Sequence, residues 1–171
     1  MLYIATMRVE AFAMSPEDLA VLRSLLTERR QLVIAVLIDG EPAIGLLPFV
    51  VTPDWSALVV RASGLARHTK GLLEGAPFDA LIARNDDPEQ DALQLVRTTL
   101  RGRVRVLDRD AAETQALIAR YVAAFPSAEM TLDLGDFNTY LLEIEAGRLN
   151  TGFGGAINLS RSSLEQLRAG A

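Results

Sequence analysis

The chain has 171 residues, half of them hydrophobic, with a formal net charge of −5, no cysteine and one histidine. That length and composition suit one globular domain with an apolar core. The missing cysteine excludes disulfides, thiolate metal sites and cysteine nucleophiles; the lone histidine disfavours multi-histidine metal sites and a Ser-His-Asp triad; the acidic balance argues against non-specific nucleic-acid binding.

Met1 to Ala13 is weakly patterned and reads as an arm, frayed or swapped onto a partner. It lacks the basic start and long apolar stretch of a signal peptide, and no apolar run approaches transmembrane length, so the expected location is cytoplasmic. Ser15-Pro16-Glu17-Asp18 supplies an N-cap, a proline at the first helical position and early acids. Leu19, Leu22, Leu25 and Leu26 recur at helical spacing, and Arg29-Arg30 closes the helix. Gln31 to Ile38 is an apolar, β-branched run, and Asp39-Gly40 is a hairpin turn signal. Pro42 to Thr52 follows as a second strand, in which Pro48 suggests a bulge or an edge. Pro53-Asp54 turns the chain into a third strand, Trp55 to Val60.

Val59 to Glu74 is the stretch around which the rest is organised. The strand enters a polar turn, and Ser63 is placed to N-cap a helix with Leu65, Leu72 and Leu73 facing inward. Arg67, His68, Thr69 and Lys70 crowd its first turns, where cations oppose the macrodipole. A bound anion would relieve that cost; a basic, solvated helix start is the alternative. Gly75-Ala76-Pro77 ends the helix, and Phe78 to Ala83 is a fourth strand. After a polar loop, residues 93 to 107 read as a longer strand with Arg101, Arg103 and Arg105 on one face. That row fits a solvated or interface surface better than a nucleic-acid patch, given the acidic whole. Ala111 to Ala124 is a second helix, closed by Phe125-Pro126. Phe137 to Glu145 alternates as a strand, Ala146-Gly147 reads as a turn, and Arg148 to Phe153 is short and extended. Gly152, Gly154 and Gly155 around Phe153 suit either close backbone approach to a ligand or a plain tight turn. Residues 157 to 171 read as a C-terminal helical tail, with Ser160 to Ala171 as a short, weakly held helix. About six strands in meander order predict a mainly β barrel with flanking helices.

The segment Ser63-Gly64-Leu65-Ala66-Arg67-His68-Thr69-Lys70-Gly71-Leu72 resembles the flavin-binding segment of the pyridoxamine 5'-phosphate oxidase-like split barrels, near the haem-utilisation branch. Gly71 stands where that pattern usually has Asn. Further matching segments, in order, are Gly40-Glu41-Pro42, Leu47-Pro48-Phe49, Thr99 to Val104, Gly135-Asp136-Phe137 and Gly152 to Ala156. The resemblance implies one six-stranded split-barrel domain, a homodimer, and FMN in the dimer groove. It implies that Arg67 and Lys70 hold the FMN phosphate with Ser63 and Thr69 donating hydroxyl hydrogen bonds, His68 lying within the same segment. It places Arg61 near the ribityl chain or pyrimidine edge, Pro48 and Phe49 past the ring, and Phe153 at the same groove. The function it implies is a flavin-dependent oxidoreductase on a small organic substrate. The alternatives are a haem-binding or haem-degrading protein and a non-catalytic FMN-binding module. The resemblance places the haem-ligating histidine of such proteins in a C-terminal region, and no histidine follows His68.

Overall fold

The structure, a computed structural model, describes residues 14–152 and 155–169. The expected N-terminal arm (Met1 to Ala13) and Phe153 lie outside the described residues. The described strands are β1 (Gln31–Ile38), β2 (Glu41–Val51), β3 (Ala57–Ser63), β4 (Pro77–Ala83), β5 (Arg97–Val106), β6 (Phe137–Gly152) and β7 (Gly155–Ser160). Their order is β3-β2-β1-β4-β5-β6-β7, and a further β3–β6 pairing closes the first six into an antiparallel barrel. The seventh strand sits outside that ring, on the far half of β6. The expected mainly β split barrel is therefore the observed architecture.

Side-chain alternation builds the interior. Leu32, Ile34 and Val36 of β1 point in, as do Phe78, Ala80 and Ile82 of β4 and Leu100 and Val104 of β5. The Asp39-Gly40 hairpin forms as its sequence predicts, both residues taking positive φ. Strand β3 has apolar residues on both faces for a physical reason. Leu58, Val60 and Ala62 face the barrel core, while Ala57 and Val59 pack outward against Leu117 and Tyr121 of helix α2 (Ala112–Ala124).

Three expectations need correction near the C-terminus. Residues 157–160 are not part of a helical tail: they belong to β7, hydrogen-bonded along β6, and the helix begins only at Arg161. Ala146-Gly147 is not a turn: β6 runs through it, because a bulge opposite Arg101/Gly102 absorbs the extra residue and keeps pairing with β5. Gly102 is required there, since a Cβ would collide with the Glu143 carbonyl. Nor is the terminal helix weakly held. Leu164 and Leu167 of α3 (Arg161–Ala169) are buried in the main core, together with Leu22 and Leu25 of α1 (Pro16–Glu28). The Arg23 guanidinium donates to the Leu167 carbonyl at 2.7 Å, and the Met14 amide donates to Gln166 Oε1 at 3.1 Å. The amphipathic pattern of α3 spans only nine residues, so its partner face on α1 was not legible locally. Among the described residues no helix is long and apolar enough to cross a membrane.

Leu167 is fully buried. Leu167→Ala is therefore expected to destabilise the chain by about 2–5 kcal/mol, read as a lower urea midpoint. An unchanged midpoint would mean that α3 is a detachable appendage.

Candidate functional site

Pro48 shapes the site. The Phe49 amide donates to the Arg30 carbonyl at 3.3 Å, on the β1 side of β2. Amides alternate sides along a strand, so the position of Pro48's missing N–H faces β3. The β2–β3 ladder accordingly consists of Phe49↔Val60, Val50↔Val59 and Val51↔Leu58, and stops there. Above it β3 continues to Ser63, paired with β6 alone. The barrel is split at this point.

The chain leaving β3 packs against β1 and β2 beside the split. It forms a short 3-10 turn, Arg67–Gly71, and not the helix predicted from Ser63 onward. Gly71 rests against Val36 and the Leu37 carbonyl, where a Cβ has no room. The His68 imidazole lies where a Cβ on Gly45 of β2 would be. Pinned this tightly at both residues, the segment cannot propagate as a helix. Leu65 and Leu73, expected to face inward, are 89% and 63% exposed; Leu72 alone is buried. Ser63 does not cap the turn. Its hydroxyl donates to Asp136 Oδ2 and accepts from the Leu65 amide at 3.1 Å. A five-residue turn has little macrodipole, so the anion argument rests on side-chain charge.

That charge is present. Arg67 and Lys70 are exposed, and among the described residues neither has a carboxylate within 4.0 Å. Thr69 is buried with no partner for its hydroxyl, and His68 Nε2 is buried and equally unpartnered. Burial lowers the His68 pKa, favouring the neutral ring. Arg61, on the outer face of β3, is 5% exposed. Its guanidinium donates to Thr131 Oγ1 at 2.8 Å and to the Thr131 carbonyl at 3.4 Å, while Nε has no partner. Burial depresses its pKa; Tyr121 opposes that shift and Arg109 adds to it. The Tyr121 phenol, pushed up to about 12 by burial, donates to the Pro48 carbonyl at 3.4 Å.

The structure thus places Ser63, Arg67, His68, Thr69 and Lys70 on the chain that leaves β3 beside the split, Arg61 on the outer face of that strand against Thr131, and Pro48 where the β2–β3 ladder ends. Phe49 is set apart from them, because its side chain points into the barrel core. Sequence reasoning did not find Gly45, Arg109, Tyr121 or Thr131 as neighbours of this region. Asp136 was visible only as part of Gly135-Asp136-Phe137, with nothing to pair it with Ser63 across 73 residues.

No family model and no curated protein matches the chain. Solved structures do. A haem-binding protein from Mycobacterium smegmatis is 21% identical over 90% of this chain and 62% of its own, with a TM-score of 0.77. An FAD- and haem-binding protein from the same organism is 21% identical over 86% of this chain and 83% of its own, TM-score 0.59. A pyridoxine phosphate oxidase-family protein from Clostridium acetobutylicum, related to general stress protein 26, is 13% identical over 88% and 99%, TM-score 0.64. The chain spans less than two thirds of the first of these. The shared architecture defines the class: this is a split barrel with flanking helices. It is the fold of that pyridoxine phosphate oxidase-family protein, as the Ser63 to Leu72 segment implied.

The lowered His68 pKa carries a sign. The folded chain binds fewer protons at this residue than the unfolded chain, so its contribution to stability is present above about pH 6.5 and is lost as pH falls through the folded pKa. The urea midpoint should therefore drop on acidification below that pH in wild type and drop less in His68→Gln. Equal drops would show that the imidazole is solvated when folded.

Proposed function

We propose that this chain is an FMN-binding flavoprotein that works as a homodimer and transfers electrons to or from a small organic substrate. The observation that carries the reading is the unsatisfied set at the split. Arg67 and Lys70 have no carboxylate partner among the described residues, and the buried Thr69 hydroxyl beside them has no hydrogen-bond partner. A phosphate dianion is the kind of group that such a set accommodates. Arg67 and Lys70 would hold it, with Thr69 supplying a hydroxyl. Ser63 supplies its own proton to Asp136 in the free chain and so acts as an anchor for the turn. When bound, the flavin supplies the redox chemistry, and the residues here bind and orient it.

His68 serves this reading as a structural wedge. Its Nε2 is buried, so a haem iron would need another ligand. The dimer is favoured by an apolar outer sheet face. Register places Val33 opposite both Leu46 and Leu81, and Ala35 opposite Ile44, with Leu37 on the same side. Ile44, Leu46 and Leu37 are largely exposed on the single chain. Such a contiguous patch is unusual on a free surface. Light scattering at micromolar concentration should give twice the chain mass for wild type and a shift toward monomer for Leu46→Glu. A monomeric wild type would remove the dimer from this reading.

Riboflavin, which lacks the phosphate, is the internal control for the cofactor. Arg67→Ala should weaken FMN binding by about one to two orders of magnitude, since a charge-assisted hydrogen bond contributes roughly 1.5–3 kcal/mol. Lys70→Ala should cost less, because an ammonium lacks the bidentate fork. Riboflavin should be nearly indifferent to both changes. Flavin fluorescence titration measures all of these, and equal losses for the two ligands would mean that Arg67 does not contact a phosphate. Reduction of bound flavin by a nicotinamide cofactor then separates an enzyme from a binding module.

A further inference from the structure

Arg61 is a buried cation with no counterion. Among the described residues only Arg105 forms ion pairs, so neither Arg61 nor its neighbour Arg109 has a carboxylate within 4.0 Å. Both guanidiniums instead reach the same covering segment. Arg61 donates to the hydroxyl and carbonyl of Thr131, and Arg109 donates to the carbonyl of Leu132. The acids of that segment are Glu129, Asp133 and Asp136; none pairs with either arginine, and Asp136 is taken by Ser63. The buried Arg61 thus has only neutral oxygens and the face of the Phe137 ring, 5.9 Å away, around its charge, with the exposed Arg109 as a like charge nearby.

The geometry on Arg61 has a recognisable shape. Its Nη1 and Nη2 donate to two oxygens of one residue, at 2.8 and 3.4 Å. A carboxylate presents two oxygens to the same end of a guanidinium, in the planar bidentate pairing for which arginine is suited. The segment holding Thr131 there is lightly anchored. No side chain of the 3-10 turn Pro126–Thr131 is buried, and Met130 and Leu134 are exposed. Apart from Ala128 and Phe125, partly buried against Tyr121 and its neighbours, its ties are polar: the two arginines, Ser63 to Asp136, and the Gly64 amide to the Asp136 carbonyl at 2.7 Å.

We propose that Arg61 and Arg109 form a carboxylate-binding site, occupied in the free chain by Thr131 as a neutral stand-in, and that the substrate of the flavin site is a small organic carboxylate. The site lies on the outer face of β3, two residues before Ser63 and thus roughly 7 Å along the strand from it. The substrate assignment rests on the flavin reading; carboxylate binding itself does not need a flavin. When the carboxylate enters, Thr131 leaves the guanidinium, the Pro126–Thr131 turn lifts, and the buried charge gains the counterion it lacks.

The test titrates benzoate and, separately, inorganic phosphate into the full chain without flavin, followed by calorimetry and by the amide NMR signals of residues 126–136. Benzoate should bind wild type and shift those signals. Thr131→Val removes the competing hydroxyl and should bind benzoate about tenfold tighter, the effect of one competing hydrogen bond. Arg61→Gln should lose binding, and Arg109→Gln should weaken it several-fold. If Arg61→Gln fails to fold by circular dichroism, Arg109→Gln and Thr131→Val decide, and their affinities must move in opposite directions. No benzoate binding to either wild type or Thr131→Val overturns the proposal, as does unchanged affinity in folded Arg61→Gln. Phosphate that binds tighter than benzoate and shifts the signals of residues 126–136 overturns the carboxylate assignment, whereas phosphate held at Arg67 and Lys70 leaves those signals in place and does not count against it. FMN is titrated in parallel: FMN binding without benzoate binding sinks this site alone, whereas benzoate binding without FMN supports the site and removes the flavin reading.

Discussion

The structure depends on one missing hydrogen-bond donor. Strand β2 pairs with β3 from Val51 to Phe49 and with β1 from Pro48 to Glu41, and at the change Pro48 presents no N–H toward β3. A proline in a central strand is normally a defect. Here the β3 ladder ends where the β1 ladder begins, and the β1 ladder runs on to Glu41, so β2 stays in place and β3 is free to part from it. The parting creates an opening in an otherwise closed barrel, and the chain that follows β3 must cover it. The candidate site consists largely of that cover and the outer face of the strand beside it.

Covering the opening with a polar segment has an energetic consequence. The segment must pack tightly enough to exclude water from the barrel end, which Gly45 and Gly71 permit by leaving room for the His68 ring and for β1. Tight packing of His68 and Thr69 buries polar atoms without partners. Each such atom costs roughly 1–3 kcal/mol if it stays dry. The segment is thus less stable than an apolar plug would be, and binding a ligand with hydrogen-bonding oxygens recovers part of that loss. A ligand bound there would have its affinity coupled to the stability of the segment through the same few atoms.

Much of the barrel was legible because its signals are local and periodic. Asp39-Gly40 dictates a hairpin, Ser15-Pro16 starts a helix, and the alternation of β4 and β5 assigns their faces. The misreadings share a cause. Ser63 and Leu65 look like a cap and a first buried position, but Ser63 is captured by Asp136, 73 residues away, and Gly71 is pinned on β1. Ala146-Gly147 looks like a turn, but a bulge opposite Gly102 lets the strand pass. In both cases a long-range contact overrode a sound local propensity. The cations at Arg67 and Lys70 could be read as a candidate site because charge needs no tertiary context. The Arg61–Thr131 contact could not, because nothing in either residue's neighbourhood points to the other.

Arg61 also separates two ways in which a buried charge can be kept. A guanidinium that served only to staple the 126–136 segment would do better with a carboxylate partner, and Asp133 and Asp136 are within the same segment. Neither is used for it. Asp136 goes to a neutral hydroxyl on Ser63, while the charged Arg61 receives the hydroxyl and carbonyl of a threonine. Exchanging those partners would make a stronger staple, so the arrangement sacrifices stability of the cover. It leaves a strong cation facing weak, replaceable acceptors beside a segment with few apolar anchors. That combination holds the cover in place when nothing else is bound and lets a better acceptor displace it, which is the behaviour a binding site requires and a structural staple does not.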